Sequence, residues 1–273
     1  MRWFSLTTLH LIAIGASAAA APSTPTWREV ARGVEYVALR PGGAATDAEA
    51  VHVVRIDPDK ARLRAVMASD MDRKPHTAGS WCDREHLVAA INLGMFLDDG
   101  RSNVGYARSG AHVNHARWVK KYKSVLVFGP RKAGIPAAAI LDLDAPGVQE
   151  RLADYETVIQ NLRLIKAPGS NGWGANAQRW SEAAIAIDRS GRLLLVFCRA
   201  PHSMFEFNRL LLSLPLDVTA AMHVEGGPEA SLSVRGKGLM LDLNGSYETG
   251  FNENDELPSQ WPIPNVLGVL GNP

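Results

Sequence analysis

Ala183-Ala184-Ile185-Ala186-Ile187-Asp188 and Arg192-Leu193-Leu194-Leu195-Val196-Phe197, joined by Arg189-Ser190-Gly191, decide the fold class. Two short apolar runs flank a turn that ends in glycine, which is the pattern of an antiparallel hairpin. The surrounding chain keeps the same rhythm. Val34 to Leu39, Val51 to Ile56 and Leu63 to Met67 are short, β-branched, partly alternating runs separated by Gly, Pro and Asp, and read as strands. Val125 to Phe128 and Ala138 to Leu141 are further strands, and Thr157 to Ile165 alternates enough to project Gln160 or Arg163 to one side. Helices are fewer. Thr77 caps one over Ala78 to His86, Gly147 to Tyr155 forms a short one, and Ser203 and Glu206 stand at capping-box spacing at the start of a third. The expected architecture is α+β: a mixed, largely antiparallel β-sheet core flanked by helices, in a single domain over residues 33–273.

Composition sets the outer limits. With 273 residues, 46% of them hydrophobic and 21% charged, the chain is ordinary globular material for one large domain. The 29 basic and 28 acidic side chains leave a net charge of +1, so no global field favours nucleic acid or an anionic membrane surface, and anion recognition must be local. Residues 1–21 pass from Arg2 through Leu9, Leu11, Ile12 and Ile14 to Ala16-Ser17-Ala18-Ala19-Ala20-Ala21, the pattern of a secretory signal, with an uncleaved anchor as the alternative. Export to the periplasm or beyond follows, with no stable membrane insertion after cleavage and residues 22–32 as a linker. Cys82 and Cys198 are either a pair formed in an oxidising compartment or two buried free thiols.

Two segments place polar groups at strand ends. Leu87 to Ile91 reads as a buried strand running directly into Asn92-Leu93-Gly94-Met95-Phe96. The apolar run Leu214 to Met222 leads into His223-Val224-Glu225-Gly226-Gly227-Pro228-Glu229-Ala230-Ser231, where paired glycines allow a tight turn beside a carboxylate. Asp98 to Trp118 is expected to be a long loop over one face. Its His112 and His115 lack both a periodic apolar face and an acidic partner, so they read as surface histidines and no metal or other cofactor is expected. The segment Asn244 to Asp255 mixes polar groups with Tyr247 and Phe251, a composition that suits either a sugar pocket or a solvated loop.

The motifs Ala90 to Phe96, Gln160 to Ile165, the Ala183 to Val196 hairpin, Val224 to Ser231 and Ile263 to Val269 occur in an order that resembles the phosphodiester glycosidase family over roughly residues 50–270. Asn92, Gly94 and Phe96 keep the first motif, whereas Leu93 and Met95 depart from it. Val224, Glu225, Gly226 and Gly227 match a Leu-Asp-Gly-Gly motif with glutamate in place of aspartate, and Ser231 matches a later hydroxyl position. Glu182 falls where the family usually has arginine.

The resemblance implies a hydrolase that cleaves the glycosidic bond of a sugar-1-phosphodiester or a related cell-envelope glycan. Breaking that C1–O bond builds positive charge on the sugar and releases a phosphate monoester, so the reaction needs a carboxylate near C1 and donors for the phosphate. Glu225 and Asn92 are the catalytic candidates. Gly94, Phe96, Gln160, Arg163, Arg179, His223, Gly226, Gly227 and Ser231 are the substrate-binding ones, with Arg179 able to replace the arginine missing at Glu182. The partner is then a carbohydrate or sugar phosphate. A non-catalytic periplasmic glycan-binding module is the alternative, and a metal-dependent phosphodiesterase is a third possibility for which no ligand cluster is visible.

Overall fold

A computed structural model of the chain describes residues 25–43 and 46–271. Two antiparallel sheets pack face to face. In the larger, the strands run in the order Arg28–Ala31, Val34–Leu39, Val51–Ile56, Leu193–His202, Trp180–Asp188, Val218–Gly226 and Tyr155–Lys166. The last of these is long enough to serve two neighbourhoods. Its residues 162–165 pair with Val218–Gly226, and its earlier residues pair with Ala107–Ser109 and Ser124–Pro130. The smaller sheet orders Leu239–Asn244, Ser231–Gly236, Leu87–Asn92, Asn265–Leu270 and Arg62–Met67. Every strand pairing between named strands is antiparallel, in keeping with the α+β expectation, and the core is divided between two sheets.

The Ala183 to Phe197 hairpin forms as its sequence requires. Gly191 takes φ +84, and Asp188 Oδ1 accepts from the amides of Ser190 at 2.8 Å and Arg192 at 3.0 Å, so one side chain satisfies the turn. Alternation then sorts the strands' side chains into two cores. Ile185, Leu195, Met222 and Val224 meet Ile91, Leu232, Val234 and Leu267 of the smaller sheet. On the opposite face Ala184, Ala186, Val196 and Ala221 lie under the helix Met204–Ser213, which we call α1, through Met204, Phe207 and Leu211. Asn208 anchors α1 to the sheet by donating to Leu164 O at 2.8 Å.

Several expectations need correction. Residues 28–31 fall in the expected linker but form a strand, because Gly33 at φ +75 turns the chain back on itself and Val30 enters the inter-sheet core. The stretch 98–118 is not all loop. Gly110 at φ +58 closes a small hairpin of Ala107–Ser109 with His112–His115, and His112 Nε2 lies 2.9 Å from Ser69 Oγ. Ser231–Gly236 and Leu239–Asn244 add a hairpin to the smaller sheet. Cys82 and Cys198 are both buried free thiols, each pushed up to about 12 by burial. The signal segment lies outside the described residues, and no described helix is long and apolar enough to cross a membrane.

The start of α1 carries a full capping box. Ser203 Oγ accepts from Glu206 N, and Glu206 Oε2 accepts from Ser203 N at 3.1 Å. Ser203→Ala is expected to cost about 1 kcal/mol of stability, read as a lower denaturation midpoint with unchanged slope in urea. Equal midpoints would show that the cap contributes nothing.

Candidate active site

Along the Val218–Gly226 strand, the face turned toward α1 changes from apolar to polar at its end. Ala221 belongs to the core under α1 and His223 pairs with Ala184 of that core, while a register shift beyond His223 sets Glu225 opposite Ala183 of the inter-sheet core. Here the strand opens into a pocket of about 580 Å³. His223, Glu225 and Gly226 contribute from the strand, Leu162, Trp173 and Trp180 form one wall with Met204 of α1, and Met95 and Phe96 form another. The exposed Lys121 and the buried Tyr122 also line it, while Glu229 and Glu248 bring two further carboxyls.

Close backbone approach explains how those carboxyls arrive. Gly227 takes φ +64, and a Cβ there would collide with the Glu248 side chain, so the glycine permits both the turn and the contact. At Gly226 an added Cβ would come within 2.8 Å of the Trp180 ring. The loop carrying Glu248 is fastened to the larger sheet: Ser181 N donates to Tyr247 O at 2.9 Å, and Glu248 bridges Trp180.

Burial governs the electrostatics. Glu225 is 9% exposed, and its carboxylate accepts one bond, from Gly226 N at 3.2 Å. Desolvation holds its pKa well above the ordinary glutamate value, and the charges of Glu229, Glu248 and Glu182 add to that shift. Burial also raises Glu229 and Glu248, with His223 partly offsetting the shift of Glu248. The carboxyls therefore titrate as a coupled group that retains protons at pH values where a free glutamate has lost its own. Among the described residues, Lys121 is the one lysine or arginine on the pocket wall.

The sequence-derived candidates separate into two sets. Phe96, His223, Glu225 and Gly226 line the pocket; Asn92, Gly94, Gln160, Arg163, Arg179, Gly227 and Ser231 do not. Asn92 is 1% exposed and serves the backbone: Nδ2 donates to Glu229 O at 3.0 Å, and Oδ1 accepts from Ser231 N at 2.8 Å. Ser231 Oγ also donates to Glu229 O, at 3.1 Å, so both residues hold the turn that carries Glu229. Gly94 makes room for buried amides, since its Cβ would lie 2.5 Å from Asn161 Oδ1.

Gln160 spends its amide on the chain around residues 106–122. Oε1 accepts from Val119 N at 2.9 Å, and Nε2 donates to Val119 O at 2.9 Å and Tyr122 O at 2.8 Å. Arg163 points away and pairs with Asp142 at 2.7 Å and Asp144 at 3.0 Å. Arg179 pairs with Glu206 at 2.6 Å, so it does not take over the arginine's place.

The pocket residues that sequence reasoning missed include Lys121, Tyr122, Trp180, Glu229 and Glu248, and Glu182 stands behind them against His223 and Trp180. Glu229 and Glu248 lay in segments already marked by their composition, and Glu182 was marked only as a charge reversal. Nothing in the sequence marks Lys121, because its approach depends on the distant Gln160. Among the described residues there is no group of three or more His, Cys, Asp or Glu side chains placed to hold a metal ion.

The sequence profile for phosphodiester glycosidases matches residues 85–270. No curated protein matches the chain significantly. Among solved structures, the catalytic domain of zebrafish N-acetylglucosamine-1-phosphodiester alpha-N-acetylglucosaminidase, auto-inhibited by its pro-peptide, aligns with a TM-score of 0.58 at 12% identity. That alignment covers 94% of this chain and 87% of that one. A hypothetical protein from Synechocystis aligns with a TM-score of 0.57 at 17% identity, over 87% of this chain and 62% of that one. At these identities the likeness is one of fold.

The raised pKa of Glu225 has a thermodynamic sign. The folded chain keeps a proton that the unfolded chain has lost, so stability falls as pH rises from the ordinary glutamate range toward the folded pKa. Glu225→Gln removes this slope. Its melting temperature is expected to gain on the wild type between pH 4 and pH 8, and parallel curves in differential scanning calorimetry would contradict the assignment.

Proposed function

The chain belongs to the phosphodiester glycosidase family, and from that membership we propose an exported glycosidase that cleaves the C1–O bond of a sugar-1-phosphodiester or a related cell-envelope glycan. The observation that carries the proposal is Glu225: a buried carboxyl at the end of a central strand, facing a pocket large enough for a sugar, among further carboxyls that raise its proton affinity.

A carboxyl that retains its proton suits an acid more than a nucleophile. As the C1–O bond lengthens, electron density moves to the departing oxygen, and a proton from Glu225 can neutralise it. Lys121 supplies a point charge for the phosphoryl oxygens at the rim. Backbone donation by Gly226 is less suitable, because its N–H already meets Glu225. Asn92 and Ser231 support the site by fixing the Glu229 turn, and Gln160 by fixing the segment that precedes Lys121. Met95, one of the departures from the family motif, forms part of the wall.

Glu225→Gln is expected to lower kcat on a model sugar-1-phosphodiester by about 10²- to 10⁴-fold while the protein stays folded. Unchanged turnover would remove Glu225 from the mechanism. Activity should also fall as pH rises through the raised pKa of Glu225. Isotope-labelled water should place its oxygen in the sugar, whereas label in the phosphate would mean P–O cleavage and reject a glycosidase.

Lys121→Met should raise KM for the phosphodiester by about tenfold and leave an uncharged aryl glycoside little affected, given the strength of a charge-assisted contact. Equal effects on both substrates would deny Lys121 a role in phosphate recognition.

A further inference from the structure

Glu182 stands where related sequences are expected to carry arginine, and the structure gives the reversed charge a partner. The residue is 0% exposed and projects from the face that carries the pocket. Both of its carboxylate oxygens are engaged: Oε1 lies 2.5 Å from His223 Nδ1, and Oε2 accepts from Trp180 Nε1 at 2.7 Å. The Trp180 ring stands edge-on to the imidazole, with centroids 6.1 Å apart and planes at 67°.

Trp180 Nε1 can only donate to Oε2, and Oε1 faces His223 Nδ1 as a second acceptor. A carboxylate oxygen in that place favours a hydrogen on Nδ1, which leaves Nε2 as the imidazole's other functional atom. His223 lines the pocket, and no hydrogen bond to its Nε2 is found among the described residues. His223 and Glu225 are two residues apart on one strand, and both line the pocket. The other charged or titratable groups at this pocket are Glu229, Glu248, Asp98, Lys121 and Tyr122.

We infer that Glu182 is a positioning residue that holds His223 as the Nδ1–H tautomer, so that Nε2 is the base for the water that attacks C1. The inference rests on the glycosidase reading of the pocket. Water oxygen bonds to C1 and its proton passes to Nε2. The C1–O bond breaks with its electron pair on the departing oxygen, which takes the Glu225 proton. The products are the free sugar and the phosphate monoester. His223 is left with one proton more and Glu225 with one fewer, and transfer between them through solvent restores the starting state. Direct attack by water inverts the anomeric centre.

Trp180 makes the test sharp. Glutamine at position 182 has one acceptor oxygen for two N–H groups. Trp180 Nε1 can only donate whereas the imidazole can move its hydrogen, so the oxygen stays with Trp180, the amide NH₂ faces Nδ1, and the ring hydrogen moves to Nε2. Glu182→Gln, made in the full chain, is therefore expected to convert His223 from Nδ1–H to Nε2–H in ¹⁵N-resolved NMR of the ring. The fold should be kept, and kcat should fall by about 10³- to 10⁴-fold, the scale expected for a wrong tautomer. Adding Trp180→Phe frees the glutamine oxygen to turn toward Nδ1 and should return the ring to Nδ1–H.

The ring measurement needs no substrate, so a wrong reaction assignment leaves it standing. An Nε2–H ring in the wild type, or an unchanged ring in Glu182→Gln, overturns the positioning role whatever the activity. A correct tautomer switch with kcat unchanged on a substrate that the wild type turns over, or retention of anomeric configuration, overturns the role of Nε2 as base. If Glu182→Gln does not fold, the wild-type tautomer and the product anomer still decide between these outcomes.

Discussion

The Val218–Gly226 strand has no side that faces water, and the rest of the architecture answers that condition. Its backbone is paired on one edge with Trp180–Asp188 and on the other with Tyr155–Lys166. Met222 and Val224 turn toward the smaller sheet, while Ala221 turns toward the core under α1. A strand enclosed in this way can end in carboxyl and imidazole groups only if something replaces their water. Glu182 does so for His223, and Glu225 responds by holding its proton. The chemistry of the site follows from how little solvent reaches one strand end.

The same enclosure separates support from contact. Asn92 and Gln160 are nearly as inaccessible as any aliphatic residue in the core, yet each satisfies its amide with backbone from a segment distant in sequence. They define where Glu229 and Lys121 stand without touching the cavity. Leu93, a departure from the family motif, is fully buried in the inter-sheet core and leaves the cavity wall to its neighbours Met95 and Phe96.

Much of this was legible in the chain because it is local. The Arg189-Ser190-Gly191 turn and the Ser203 and Glu206 capping box each depend on neighbours a few residues away, and each forms as read. What failed was the assignment of side chains whose partners lie far along the chain. Gln160 and Arg163 sit on one strand, but the chain 106–122 claims the first and Asp142 with Asp144 claim the second. Arg179 looked available until Glu206, at the start of α1, captured it. Periodicity states which face a residue takes and not which charge waits there.

The grip of Gln160 on the chain around residues 106–122 has a consequence for how a ligand enters. Three bonds to Val119 and Tyr122 fix the backbone beside Lys121 before any substrate arrives, and Tyr106 stacks on Trp118 at 4.5 Å with planes 4° apart. The conformational freedom of that rim is lost during folding, so association need not supply the free energy to order it. Such a mouth acts as a rigid gauge: it admits or rejects a ligand by fit at first encounter.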